Sequence, residues 1–172
     1  MSIGIGSSIP SSELLRWDGT GIVRAASDAL VADGKTLVIG VVGAFTPICT
    51  DSHLKDYLPI IPSLKETGVV QRFICTGVVD PFVFHAWGEA LGADGLIEFW
   101  SDPYGAFAEA IGITADFTAI GLGRRSGRYS MIVNAGTVET LNVEEDPSIV
   151  SVSGAALMKE QLGLSGATAR AH

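Results

Sequence analysis

The sequence predicts an α/β protein, with a central mixed β-sheet flanked by helices. Three observations carry that expectation. TLVIGVV (36–42) is a continuous apolar, β-branched run, the mark of a strand buried on both faces of a parallel sheet. Within VVDPFVFHAWGEALG, Asp80 and Pro81 pair an N-cap carboxylate with a first-turn proline, so a helix follows a strand in mid-chain. RYSMIVN and TVETLNV, joined at Ala135-Gly136, read as a β-hairpin, so a sheet that begins parallel finishes antiparallel.

The remaining elements follow in chain order. The first ten residues are rich in Gly and Ser and are expected to be irregular. From Cys49 to Thr67, the residues Leu54, Tyr57, Leu58, Ile61 and Leu64 recur at helical spacing. Pro59 and Pro62 interrupt that pattern, so a kinked or two-part helix is expected, ended by Gly68. VVQRFICTG (69–77) reads as a strand, and the helix opened by Asp80 stops at Gly92. LIEFW (96–100) is a further strand, and YGAFAEAIGI (104–113) a short helix after Asp102-Pro103. SGAALMKEQL (153–162) closes the order β-α-β-α-β-α-β-β-α as an amphipathic helix. One domain is expected over residues 1–164, with a flexible small-residue tail over 165–172.

Composition narrows the function classes. The 172 residues are 47% hydrophobic and 17% charged, which suits a packed globular core. A net charge of −8 gives no global support for binding nucleic acid or an anionic membrane surface. The N-terminal stretch has neither a basic region nor an apolar run of the kind that marks a secretory signal, and no apolar run approaches membrane-spanning length. Two cysteines do not make a disulfide framework, so free thiols in a reducing, cytoplasmic setting are expected. Three scattered histidines and two distant cysteines give no metal-ligand spacing.

The chemistry concentrates on GAFTPICT (43–50). A cysteine is more often an inert buried hydrophobe than a nucleophile. Cys49, however, lies in the first turn of its helix, where unpaired N–H groups and the helix dipole favour an anion. Thr46, three residues earlier, could turn a hydroxyl towards the sulfur, and His53 lies one helical turn further along the same face. A free thiol with a pKa near 8.5 is only ~3% ionised at pH 7, whereas one at ~6 would be ~90% ionised. That change requires roughly 3.4 kcal/mol. A helix N-terminus supplies about 0.3–1 kcal/mol, up to about 2 in the best geometry. An arginine donating to the sulfur would add about 1.5–3 kcal/mol. The chain must therefore bring an arginine to Cys49.

Arg124, Arg125 and Arg128, in GRRSGRYSMIV, are the one cluster available. Arg124 and Arg125 read as a solvated turn before the hairpin, while Arg128 enters a buried strand and needs a partner there. His85 reads as a satisfied side chain on its helix. Cys75, at the end of RFIC, is open between a buried small residue and a redox role.

GAFTPICTDSHL, VVDPFVFHAWGEALG, SDPYGAFAEAIGI, RRSGRYSMIV and LNVEEDP together resemble the peroxiredoxins, most closely the type II branch, in register from about Ile9 to Leu162. The resemblance implies a thioredoxin-like fold and a thiol peroxidase acting on hydrogen peroxide and alkyl hydroperoxides. It puts the peroxidatic cysteine at Cys49, the threonine that binds thiolate and peroxide at Thr46, and the essential arginine at Arg128. His53 would be a supporting group, and no cofactor or metal is implied. The implied partners are a thiol reductant (glutathione, glutaredoxin or thioredoxin) and a second copy of the chain, packed near the active-site loop and the DPF segment. Two departures stand out. Val42 replaces the proline that leads the family motif. The segment IVSVSG, where animal members carry a resolving cysteine, has none. Cys75, 25 residues after Cys49, is the candidate resolving cysteine by its nearness to the plant spacing. Two other readings remain: a peroxide sensor without turnover, and a phosphate-binding module built on the three arginines.

Overall fold

The computed structural model describes residues 1–164; the tail expected over 165–172 lies outside the described residues. Seven strands form one mixed sheet in the order β2-β1-β5-β4-β3-β8-β9. Its centre is the parallel trio β3 (Lys35–Gly40), β4 (Arg72–Gly77) and β5 (Glu98–Ser101). The hairpin β8 (Tyr129–Asn134) and β9 (Thr137–Val143) adds antiparallel to β3, with Gly40 opposite Tyr129 and Thr36 opposite Val133. The mixed sheet is thus the one expected, and the hairpin turns at Ala135 and Gly136 with φ of 47° and 81°. Both values are positive, as a tight two-residue turn between twisted strands requires.

Alternation along the strands sorts side chains to two cores. Leu37, Ile39, Phe73, Cys75 and Phe99 face one side, packed by Leu54, Tyr57, Ile61, Leu64, Phe84, Trp87 and Met158. Those residues come from the helical stretch 47–57, α3 (Ile61–Glu66), α4 (Pro81–Ala90) and α6 (Ala155–Gln161). Val38, Ile74, Trp100, Tyr129 and Met131 face the other side, covered by Leu30 of α1 (Ser27–Leu30) and by Phe107 and Ile111 of α5 (Ala106–Ile111). Gly40 permits this arrangement at the end of β3. A Cβ there would lie 2.0 Å from the Tyr129 ring, which crosses the strand at that point. The Asp80 carboxylate caps α4, accepting from the N–H groups of Phe82 and Val83, with Pro81 in the first turn.

Two parts of the structure differ from the sequence expectation. The hairpin β1 (Glu13–Trp17) and β2 (Ile22–Ala26) extends the sheet beyond β5, although all its residues but Leu14 are exposed or half-buried and show no clear alternation. A two-stranded ribbon, β6 (Thr114–Phe117) with β7 (Gly123–Ser126), occupies what reads as a loop before Arg128. The first ten residues are irregular but tied down. The N–H groups of Ile3, Gly6 and Ile9 donate to the carbonyls of Ile111, Val138 and Gly136.

Candidate active site

β3 runs out at Gly40 into a short loop that delivers Cys49. Val41 and Val42 are buried beside the sheet, and Phe45 then takes a left-handed φ of 59°. The Thr46 hydroxyl donates to the Gly43 carbonyl at 2.9 Å, which closes the turn. The helix starts at Pro47, and the Thr50 N–H returns to the Thr46 carbonyl at 3.0 Å. Cys49 therefore sits in the first turn, as expected. From there the helix widens into a π-helical turn, Cys49–Leu54, before α2 (Lys55–Tyr57). After Pro59 the chain re-enters a helix at Ile61, so the two-part reading holds.

The arginine that the energetics require is Arg128. It precedes β8 and is 2% exposed, and its Nη2 donates to the Cys49 Sγ at 3.3 Å. Two more of its five N–H groups are committed as well. Nε donates to the Pro147 carbonyl at 3.0 Å, and Nη1 lies 3.0 Å from His53 Nδ1. A guanidinium cannot accept, so His53 Nδ1 must be the acceptor and its proton lies on Nε2. That nitrogen donates to the Ser153 carbonyl at 3.2 Å. Tyr57 Oη donates to the same carbonyl at 2.6 Å. Burial, followed by the Arg128 charge, pushes the His53 pKa from 6.5 down to about 3, so the ring is neutral. His53 was expected to support Cys49 from the same helix face; its contact is instead with the arginine. Likewise the Thr46 proton is directed to Gly43 and not to the sulfur.

The arginine cluster does not form a single patch. Arg124 is exposed and pairs with Glu109 at 3.7 Å. Arg125, expected to be solvated, is half-buried: its Nε and Nη1 donate to the carbonyls of Leu122 and Val78 at 2.7 and 2.8 Å. It stitches the ribbon to the segment before α4 and packs beside Gly43. With Arg128 enclosed at the sulfur, no shared anion-binding surface remains for the phosphate-module reading.

Cys75 lies within β4, opposite Ile39 and Phe99 on its two neighbours, and is fully buried. Burial, and then the nearby Cys49, push its thiol well above the ordinary range. It is a free cysteine, as is Cys49. His85 lies 3.4 Å from Glu89 one turn along α4. Among the described residues no group of His, Cys, Asp and Glu could hold a metal ion, and no helix is long and apolar enough to cross a membrane.

Several site residues carried no signal strong enough to find. Trp87 Nε1 donates to Thr50 Oγ1 at 3.1 Å and so pins the site helix to α4. Pro147 and Ser153 act through backbone carbonyls that any residue could supply, and Tyr57 reads only as one of the apolar residues at helical spacing. Glu144 had a faint one: it continues the two-residue period of the buried Asn142, and an inward glutamate demands donors.

A parallel-centred sheet that holds one thiol at a helix start, against an enclosed cation, defines a thioredoxin-like thiol protein. The Redoxin family model matches residues 5–157. The chain is 37% identical over 172 residues to Peroxiredoxin-2F, mitochondrial, of Oryza sativa subsp. japonica, covering 94% of this chain and 86% of that protein. It is 39% identical over 150 residues to the Arabidopsis thaliana protein of the same name, covering 85% and 74%. The structure of reduced Prx3 from Vibrio vulnificus in complex with H2O2 superposes with a TM-score of 0.86 at 37% identity, over 94% of this chain and 96% of that one. The chain belongs to the peroxiredoxins, in their type II branch, and is a thiol-dependent peroxidase.

Proposed function

We propose that Cys49 is the peroxidatic cysteine and that Arg128 and Thr46 complete the reacting centre, with hydrogen peroxide and small alkyl hydroperoxides as substrates. The observation that carries this reading is the 3.3 Å donation from Arg128 Nη2 to Cys49 Sγ in a buried setting. The thiolate attacks the terminal hydroxyl oxygen of the peroxide in line with the O–O bond. An S–O bond forms, the O–O bond breaks, and the leaving oxide takes a proton to depart as water or an alcohol. Thr46, its own proton given to Gly43, keeps its oxygen free to accept from the peroxide O–H. The guanidinium faces the charge that builds on the separating oxygens.

An external thiol then attacks the Cys49 sulfenic acid, releasing water and leaving a mixed disulfide that a second thiol reduces. Glutathione, glutaredoxin or thioredoxin would serve. This one-cysteine cycle is supported by the position of Cys75, inside a central strand, with a thiol poorly disposed to ionise. A homodimer is supported by the exposed apolar side chains Phe45, Phe82, Val83 and Ile120, which belong to segments that Arg125 links together. A cytoplasmic location rests on the two free thiols alone.

Stopped-flow peroxide consumption by Cys49→Ser and Cys75→Ser tests the cycle. The first variant should be inactive, and the second should complete the first oxidation. A fully active Cys49→Ser protein would sink the assignment. A stoichiometric Cys49–Cys75 disulfide, with turnover lost in Cys75→Ser, would overturn the one-cysteine cycle.

A further inference from the structure

Between β9 and α6 the chain passes through residues 144–153, and one carboxylate gathers that loop. Glu144 is 5% exposed. Its Oε1 accepts from the N–H groups of Ser151, Val152 and Ser153 at 2.7, 2.8 and 2.8 Å, and from Ser153 Oγ at 2.8 Å. Its Oε2 accepts from Ser151 Oγ at 2.6 Å. A buried carboxylate costs free energy unless donors replace its water, and five donors do so here. Burial alone would raise its pKa; the hydroxyl and N–H donors of Ser151 and Ser153 outweigh that and hold it down at about 2.

The loop so gathered presents two carbonyls to the site. Pro147 accepts from Arg128 Nε, and Ser153 accepts from the His53 whose other nitrogen holds Arg128 Nη1. The Glu144 N–H also donates to the Arg128 carbonyl at 3.0 Å, so the loop begins in register with the arginine itself. We propose that Glu144 is a positioning residue of the peroxidase site: by closing the 144–153 loop it fixes the Pro147 and Ser153 carbonyls that hold Arg128 against the Cys49 sulfur. The proposal rests on the roles given above to Cys49 and Arg128. It assigns Glu144 no contact with peroxide.

The test reads the sulfur without peroxide, as the rate of Cys49 alkylation by iodoacetamide at neutral pH, in a Cys75→Ser background so that one thiol reports. Glu144→Ala should slow alkylation by about tenfold, the equivalent of one loosened charge-assisted hydrogen bond. Glu144→Gln keeps a carbonyl oxygen for the three N–H donors and should stay within about threefold of the parent. Glu145→Ala removes the neighbouring exposed carboxylate and should stay within about twofold. In an Arg128→Ala background Glu144→Ala should have no further effect, because both routes from the loop end on that arginine. An equal tenfold loss in that background would make Glu144 a general structural residue and overturn the proposal, as would a folded Glu144→Ala protein that alkylates like the parent. If Glu144→Ala does not fold, the Glu144→Gln/Ser151→Ala double variant carries the same comparison. A chain that shows the coupling yet consumes no peroxide would refute the peroxidase cycle alone, and a working peroxidase without the coupling would refute Glu144 alone.

Discussion

Replacing Arg128 with alanine is the sharpest perturbation available. The side chain makes three directed contacts: Nη2 to the Cys49 Sγ at 3.3 Å, Nη1 to His53 at 3.0 Å and Nε to the Pro147 carbonyl at 3.0 Å. Its loss strips the sulfur of a cationic donor and leaves a buried imidazole nitrogen and a carbonyl without partners. A charge-assisted hydrogen bond of this kind contributes about 1.5–3 kcal/mol, which converts to a roughly 10- to 150-fold fall in the rate of sulfur attack. The comparison that isolates the effect is Arg124→Ala, which removes an equal charge from an exposed position 3.7 Å from Glu109. Its effect should stay within about twofold. Stopped-flow measurement of the first oxidation, with the denaturation midpoint of each protein, reads both consequences. If folded Arg128→Ala reacts as fast as Arg124→Ala does, the sulfur does not depend on the guanidinium and the energetic argument fails.

Other outcomes follow from the same geometry. An unfolded imidazole takes a proton below about pH 6.5, whereas folded His53 resists until about pH 3, so the unfolded chain binds more protons in that window and stability falls as pH drops through it. His53→Asn should flatten the pH dependence of the denaturation midpoint there, and an unchanged slope would count against the buried neutral ring. Val42→Pro should fold and consume peroxide at least as fast as the parent, because among the described residues the Val42 N–H has no hydrogen-bond partner to lose; a folded but inactive protein would show that this pocket is built around valine. Ala135→Gly should raise stability by roughly 1 kcal/mol by relieving a left-handed alanine in the hairpin turn, read from the shift of a denaturation midpoint.

The parts of the fold with strong periodicity were readable. The buried run of β3, the capped helix α4 and the hairpin β8–β9 fall within a few residues of expectation because burial on both faces, a cap and a turn each leave a residue-type signature. β1, β2, β6 and β7 were missed because exposed strands carry mixed side chains, and their pairing is decided by the backbone. At the site, the need for an arginine was legible as a deficit in free energy, and Arg128 as a charge entering a buried strand. The Thr46 and His53 contacts were not. Which acceptor a hydroxyl chooses, and which side a ring presents on a widened helical turn, depends on angles that spacing does not encode.

The two reacting halves of the site hang from supports of unequal stiffness. Arg128 abuts β8, whose backbone is laced on both edges, to β3 and to β9. Cys49 rides on one widened turn that β3 reaches only through a loop and that a proline-containing break soon follows. Amide hydrogens of residues 129–133 should therefore outlast those of residues 48–54 in deuterium exchange by orders of magnitude. The guanidinium is built as the fixed jaw and the sulfur as the looser one: in the cycle proposed above, a reductant would reach the oxidised sulfur by way of the wide turn, while the sheet would keep the arginine in place for the next peroxide.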